Sequence, residues 1–191
     1  MKPKKEKKPI FATLFIVFLM VGSVAGFLVG YSSPTDNTET FEYKGRTFTR
    51  TDQGYLATVN NAQVILVLDP QLVENIPSDP VTILDLNSAS KIYLSFNPEE
   101  NLNQAASYLH TNIRPHLSLP IFPACTSDIE QCSDLPIKTC DDATDNEKVM
   151  LLQKTEELTS VTYENNCLLI QGKNDLIAPT EKAILQLLGL I

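Results

Sequence analysis

The 191-residue sequence contains no tryptophan and only two histidines, and charged residues make up only 20% of it. His110 and His116 are six residues apart, so on one helix they would point about 120° away from each other and could not share a metal ion. The chain also has no glycine-rich phosphate-binding pattern and no N-x-[ST] glycosylation sequence. We therefore expect two solvated histidines and no nucleotide site of a familiar type.

The chain has no C-x-x-C motif, which argues against thioredoxin-like redox chemistry. Its four cysteines, Cys125, Cys132, Cys140 and Cys167, are spaced too widely for the close pairs of structural zinc sites. None lies near the N-terminus, which excludes a lipid attached at a lipobox. We expect two disulfides in an oxidising compartment. Of the three pairings we favour Cys125–Cys132 with Cys140–Cys167, and the other two stay open.

Charge is distributed very unevenly along the chain. Residues 1–9 hold five lysines and one glutamate, a net charge of +4, and residues 32–191 hold ten basic and 22 acidic residues, a net charge of −12. The 22 residues between them, 10–31, carry no charge. As a helix they would be about 33 Å long, enough to cross a hydrocarbon core of about 30 Å. We predict a transmembrane signal anchor at residues 10–31 in the cell membrane.

The lysines of residues 1–9 set the predicted orientation, because positive residues favour the cytoplasmic side of a membrane. Residues 1–9 are then a cytoplasmic tail, and the C-terminal part of the chain is extracytoplasmic. The alternative is a cleaved signal peptide with its cleavage site at residues 23–25, but the apolar run continues to Tyr31, beyond the usual 7–15 residues. The acidic external part argues against a nucleic-acid partner, because it repels phosphates.

Gly22, Gly26 and Gly30 recur every four residues on one face of the predicted transmembrane helix. Small residues at this spacing let two helix backbones approach closely, which predicts self-association through this face. The alternative explanation is that glycine is common in membrane helices in general.

The external part is predicted to be one α+β domain, residues 41–191, joined to the membrane helix by a polar linker, residues 32–40. Turn residues between β-branched and aromatic runs predict an antiparallel meander over residues 41–68. A strand at 91–96, a helix that starts at Asn97 and ends before Pro115, and a strand at 121–124 predict a βαβ unit.

Shorter signals complete the predicted secondary structure of the domain. The apolar runs at 81–84, 137–139 and 149–153 are expected to be strands, and Asn165-Asn166 is expected to turn a hairpin. A C-terminal helix is expected to start at Asp175 or Pro179 and to end at Leu188.

Two patterns that resemble functional motifs carry little weight. Residues 88–91 match the S-x-x-K pattern of penicillin-binding proteins, but Lys91 is predicted to open a strand and no S-D-N or K-T-G follows, so we interpret the match as chance. The acidic residues of 141–147 could bind calcium, but the glycine and distal glutamate of an EF-hand loop are missing. We expect a solvated acidic loop, and we assign no catalytic, cofactor-binding or metal-binding residue.

Several short segments follow the predicted membrane helix in an order that resembles a known set of proteins. The segments are 54–58 (GYLAT), 119–125 (LPIFPAC), 134–137 (DLPI), 165–172 (NNCLLIQG) and 187–189 (LLG). Together they resemble short, uncharacterised, membrane-anchored archaeal proteins over most of the chain. The resemblance implies a cysteine-containing external domain and no particular activity or catalytic residue.

The sequence favours a non-catalytic interaction or envelope-associated module that has the lipid bilayer as a partner and could bind a protein outside the cell. Two alternatives remain. One is an extracytoplasmic hydrolase whose site is assembled by the fold, and the other is a minor subunit of a membrane complex.

Overall fold

A computed structural model describes residues 39–191, which form an α+β domain with two β-sheets. Three predicted segments lie outside the described residues: the cytoplasmic tail, the transmembrane helix with Gly22, Gly26 and Gly30, and nearly all of the linker. Within 39–191, no helix has both the length and the apolar character that crossing a membrane requires.

The first sheet is the predicted antiparallel meander. Its strands follow one another in chain order: β1 (Glu39–Tyr43), β2 (Arg46–Thr51), β3 (Gly54–Val59) and β4 (Ala62–Leu66). The turns at Lys44-Gly45 and Asn60-Asn61 have positive φ at both residues, the type I′ geometry that suits two-residue hairpins. Glycine and asparagine adopt positive φ most readily, so local sequence sets the register of this sheet.

The second sheet is mixed. Its strands are β5 (Lys91–Phe96), β6 (Ile121–Cys125), β7 (Glu147–Lys154), β8 (Ser160–Glu164) and β9 (Cys167–Gly172). The spatial order is β6-β5-β7-β9-β8, in which only β8 is antiparallel to its neighbour. β5 and β6 form the expected βαβ unit around α2 (Asn103–Ile113). β8 and β9 form the expected hairpin over Asn165-Asn166.

The predicted strand at residues 81–84 is wrong, because this segment begins helix α1 (Ile83–Asn87). Thr82 and Asp85 form a capping box, in which the Asp85 carboxylate accepts hydrogen bonds from the backbone N–H and the hydroxyl of Thr82, both at 2.8 Å. The box satisfies polar groups at the helix start, which favours a short helix over a strand.

The predicted helix start at Asn97 is also wrong. Asn97 caps only a 3₁₀ turn, Pro98–Glu100, and Asn101 then adopts a left-handed conformation with φ of 57°. A left-handed residue ends a helical segment. For this reason α2 begins separately at Asn103.

The hydrophobic core lies between the first sheet, one face of the second sheet, α2 and α3 (Ile177–Leu187), and α2 packs against α3. Its largest fully buried side chains are Phe48, Leu66, Leu86, Ile92, Leu109, Ile113, Met150, Leu152, Leu168, Ile170, Leu176 and Ile184. A smaller cluster on the opposite face of the second sheet contains Val149, Leu151 and Cys167. The loop between β6 and β7, residues 126–146, packs on this smaller cluster through Cys140 and Ala143.

The favoured disulfide pairing is confirmed. Cys125 is bonded to Cys132, seven residues away, and Cys140 is bonded to Cys167, 27 residues away. The first bond closes part of the 126–146 loop, and the second fastens that loop to the first residue of β9.

Gly54, at the start of β3, lies very close to the backbone of Leu66 in β4. A Cβ atom on Gly54, whose φ is +131°, would lie 2.1 Å from the backbone oxygen of Leu66, whereas a Cβ on Gly45, with φ of +74°, would meet nothing within 4 Å. We expect Gly45→Ala to lower the free energy of unfolding by about 1 kcal/mol and Gly54→Ala by about 2 kcal/mol. Urea denaturation of the chain in mild detergent measures both. Equal losses would contradict the close approach at Gly54.

Candidate functional site

The connections of the second sheet diverge at β5 and β7, which are neighbours. From β5 the chain passes through α2 to β6 on one side, and from β7 it passes to β8 and β9 on the other side. This divergence is a topological switch point, and open sheets with parallel strands bind ligands in the crevice that forms there, at the carboxyl ends of the strands.

A cavity of about 400 Å³ lies at this position, and we name it the switch-point crevice. Its lining consists of Asn97, Glu100, Thr126, Thr139, Cys140, Asp141, Leu151, Leu152, Gln153 and Leu169. Asn97 directly follows β5, Thr126 directly follows β6, and Gln153 is the penultimate residue of β7. The crevice therefore combines amide and hydroxyl groups at three strand ends with the carboxylates of Glu100 and Asp141, over an apolar floor.

Local hydrogen bonds hold the walls of the crevice in place. The Glu100 carboxylate accepts the backbone N–H of Lys154 at 3.0 Å, which fastens the 3₁₀ turn to the end of β7. On the opposite wall, Asp142 accepts the backbone N–H of Thr139 at 2.8 Å and its hydroxyl at 3.0 Å. These bonds hold the pKa of Asp142 below its ordinary value, the backbone bond contributing most. Asp142 thus stabilises the turn that carries the exposed side chain of Asp141.

A second cavity of about 380 Å³ adjoins the crevice along β8 and β9. The two cavities share Cys140, Asp141 and Leu169, and the second also contacts Glu164. Among the described residues that line them, the charged ones are three carboxylates, Glu100, Asp141 and Glu164. A concave surface lined by charges of one sign attracts ligands of the opposite sign.

The S-x-x-K residues lie at the amino end of β5, opposite the carboxyl ends of the strands where the crevice forms. The Ser88 hydroxyl donates to the backbone oxygen of Asp85 at 2.7 Å, and the Lys91 ammonium lies 3.6 Å from the Glu147 carboxylate. Both side chains thus make structural contacts away from the switch-point crevice.

The acidic residues of 141–147 make separate contacts. Glu147 lies 2.8 Å from Lys138, and this contact is the main reason that the pKa of Glu147 is below its ordinary value. The Asp145 carboxylate accepts the side-chain amide of Asn166 at 3.1 Å. Across the part of the chain that the structure describes, no group of three or more His, Cys, Asp or Glu residues could hold a metal ion.

The two histidines differ in environment. His110 is exposed on α2, as expected. His116 is half-buried, which lowers its pKa, and its Nε2 has no hydrogen-bond partner among the described residues. The backbone oxygen of His116 accepts the side-chain amide of Asn87 at 3.4 Å, so His116 lies near α1 and away from the crevice.

Sequence reasoning missed Glu181 of α3, whose side chain is completely buried. Its carboxylate accepts the backbone N–H groups of Val67 and Leu68, each at 2.9 Å, and the Tyr108 hydroxyl at 2.7 Å. Burial raises the pKa of Glu181 despite these hydrogen bonds. The sequence does contain one signal of a buried carboxylate, which is a single acidic residue within the apolar pattern of the C-terminal helix.

Comparison of the chain with known protein families, curated proteins and solved structures finds no match. The fold and the crevice define a mixed-sheet α+β domain with a ligand-sized concavity at its switch point.

Proposed function

We propose that this protein is a membrane-anchored binding module, whose disulfide-linked domain takes a positively charged ligand into the switch-point crevice outside the cytoplasm. The observation that carries the proposal is the crevice itself, at the position where open sheets with parallel strands bind ligands. Its volume of about 400 Å³ is within the range of small-molecule and peptide side-chain pockets.

The distribution of charge and the two disulfides support the location. An uncharged segment of 22 residues separates a net charge of +4 from one of −12, the pattern of an anchor with its N-terminus in the cytoplasm. Disulfides form and persist in oxidising compartments, which favours an extracytoplasmic domain.

The lining of the crevice supports the choice of ligand charge. Glu100 and Asp141 are its charged residues, and amides and hydroxyls beside them can donate and accept hydrogen bonds. Leu151 and Leu169 provide apolar contact for an alkyl chain. A basic peptide fits these features best, because its lysine and arginine side chains combine an alkyl stem with a charged end.

Binding is tested with the full chain in lipid nanodiscs and a fluorescent peptide rich in lysine and arginine. We expect Asp141→Asn to weaken binding about tenfold, the effect of losing one charged hydrogen bond. Asp134→Asn is the matched control, because Asp134 is exposed and lies outside the crevice lining. Equal weakening by both variants, or no saturable binding by the unaltered chain, would contradict the proposal.

The predicted orientation has its own test in cells that produce the intact chain. An added protease should digest residues 41–191 from outside and leave a tag on residues 1–9 intact. Release of the domain into the medium without protease would instead show that residues 10–31 are a cleaved signal peptide.

Two carboxylates in one crevice also support a second candidate, an extracytoplasmic hydrolase in which Glu100 and Asp141 act as acid and base. Mass spectrometry of the peptide recovered from the binding assay separates the two functions. An unchanged peptide supports the binding module, and cleavage that is lost in Asp141→Asn supports the hydrolase.

A further inference from the structure

An edge strand exposes unpaired backbone groups, so the outer edges of both sheets show where another chain can add. The end of the β4 edge is covered by side chains from the helices. Asn112 of α2 accepts the N–H of Ile65 at 2.8 Å, and Glu181 accepts the next N–H groups along the chain, those of Val67 and Leu68.

Both edges of the second sheet are partly covered by short extended segments. At β6, Cys125 accepts from Lys138 at 2.8 Å and donates to Pro136 at 3.0 Å. At β8, Val161 donates to Pro77 at 2.9 Å and accepts from Asp79 at 3.0 Å. These contacts cover β8 at Val161 and β6 at Cys125, its last residue, and so restrict strand addition at those positions.

The outer edge of β1 is different. The two-residue turn after Tyr43 pairs Tyr43 with Arg46, so Glu39, Phe41 and Tyr43 exchange backbone hydrogen bonds with β2. Thr40 and Glu42 consequently direct their backbone N–H and C=O groups away from β2. Within residues 39–191, no other segment pairs with these groups, and both side chains are exposed.

We propose that a second copy of this chain covers this edge, with the two β1 strands antiparallel and the two meanders joined into one eight-stranded sheet. The register places Thr40 opposite Glu42 of the second copy, with a twofold axis at Phe41. All outward-directed backbone groups of Thr40 and Glu42 are then satisfied, because each Thr40–Glu42 pair exchanges two hydrogen bonds.

Side chains favour this register. It places Phe41 opposite Phe41 of the second copy, next to an aromatic cluster in which the Phe41 ring already lies 5.6 Å from Phe48 and 5.8 Å from Tyr55. It also places Glu39 opposite Tyr43, so no like charges face each other directly. A shift of two residues toward the turn would set Glu42 against Glu42, which is unfavourable.

The choice of a second copy depends on the membrane anchor of the proposed function. Residues 32–38 link β1 directly to the predicted helix, whose Gly22, Gly26 and Gly30 favour helix association. Two domains on such short linkers would meet at an effective concentration in the millimolar range. Strand pairing that is weak in solution would then be populated at the membrane.

Cysteine crosslinking in native membranes tests the register. The Cα atoms of a hydrogen-bonded antiparallel pair are about 5.5 Å apart, within the range of a disulfide. Co-expressed Thr40→Cys and Glu42→Cys chains with different tags should therefore form a mixed disulfide dimer. Thr40→Cys alone is the matched control. It should crosslink poorly, because the two copies of residue 40 are diagonal neighbours whose Cα atoms are about 7–8 Å apart.

A proline variant tests the hydrogen bonds. Glu42→Pro removes an N–H that points away from β2, a position where an edge strand tolerates proline, and Glu42→Ala is its control. Because the membrane helices can associate without β1, the readout is a crosslink across β1. We expect Glu42→Pro, with an unchanged melting temperature, to lower about tenfold the mixed crosslink between Glu39→Cys and Tyr43→Cys chains, which face each other in this register, and Glu42→Ala to leave that crosslink unchanged.

Three outcomes would overturn the pairing. They are a Glu39–Tyr43 crosslink unaffected by Glu42→Pro, equal crosslinking of the mixed and single Thr40 and Glu42 cysteine variants, and crosslinking of Glu42→Cys to a different protein. If cells release the domain from the membrane, the anchored form of the proposed function is wrong. A mixed crosslink in that released domain would still support β1 pairing, so the two proposals can fail separately.

Discussion

Replacing Glu181 with glutamine is expected to lower the free energy of unfolding by about 3 kcal/mol, the effect of disrupting a buried, charged hydrogen-bond network. The Glu181 carboxylate accepts from two backbone N–H groups, those of Val67 and Leu68, and from the Tyr108 hydroxyl. The two N–H groups and the hydroxyl all donate to one oxygen, Oε2, and the Leu68 N–H also lies 3.2 Å from Oε1. A glutamine removes the charge from this acceptor, and when its amide oxygen takes the Oε2 position its N–H₂ faces the Leu68 N–H as a second donor.

The expected structural consequence is detachment of the end of the meander from the helices. Glu181 of α3 and Tyr108 of α2 hold the chain immediately after β4, so their loss also exposes that edge to strand addition. Tyr108→Phe should cost less, about 1 kcal/mol, because both backbone donors keep their acceptor.

The effect of Glu181→Gln should depend on pH in a definite direction. Burial raises the pKa of Glu181 above its ordinary value of 4.5. As pH rises, Glu181 therefore ionises in the unfolded chain before it ionises in the folded chain. Its contribution to stability is full below the unfolded-state pKa and is lost as pH rises through the folded-state pKa. Glu147 and Asp142 have lowered pKa values, so their contributions to stability change with pH in the opposite direction. Both residues are present in the unaltered chain and in Glu181→Gln, so their contributions cancel when the two are compared.

Urea denaturation of the unaltered chain and Glu181→Gln at several pH values measures both effects. The difference between them should grow as pH falls from neutral toward 4.5, the ordinary pKa of a glutamate. Glu156→Gln is the matched control, because Glu156 is exposed and its loss should change stability by less than about 0.5 kcal/mol. Equal effects of the two glutamine variants would show that Glu181 is not the buried acceptor described above.

The hairpins were predictable because their information is local. Lys44-Gly45, Asn60-Asn61 and Asn165-Asn166 are residue pairs that accept positive φ, and each turns where the sequence indicates. By contrast, residues 81–84 are too few to separate a helical from a strand period. The capping box of Thr82 and Asp85 makes that segment the start of a helix.

The crevice and the buried carboxylate depend on contacts between distant residues. Asn97, Thr126 and Gln153 are separated by more than 25 residues each in the sequence and meet because their strands are parallel neighbours. Glu181 and its acceptor role follow from the position of Val67, 114 residues earlier. The strand–helix–strand order predicted that β5 and β6 are neighbours, but the sequence did not indicate that β7 pairs with β5 or that α3 packs beside the end of β4, so neither site could be derived from it.

The Cys140–Cys167 disulfide should be the more stabilising of the two. It closes 27 residues, against seven for Cys125–Cys132, and in the chain-entropy account these loops give about 3.5 and 2.4 kcal/mol. We expect the paired variants Cys140→Ala/Cys167→Ala and Cys125→Ala/Cys132→Ala to lose about these amounts. Alanine is preferred to serine because Cys125 and Cys167 are buried, and a hydroxyl there would lack a solvated environment.

The two disulfides should also differ in their effect on the crevice. Cys140 lines the crevice, and its bond to Cys167 holds Asp141 against β9, whereas Cys125 and Cys132 are not part of the lining. Loss of the Cys140–Cys167 bond should therefore weaken binding of the cationic peptide in a folded sample, and loss of the Cys125–Cys132 bond should change stability alone. If both pairs of substitutions weaken binding equally, the 126–146 loop is held by its packing on the sheet and the second disulfide does not position Asp141.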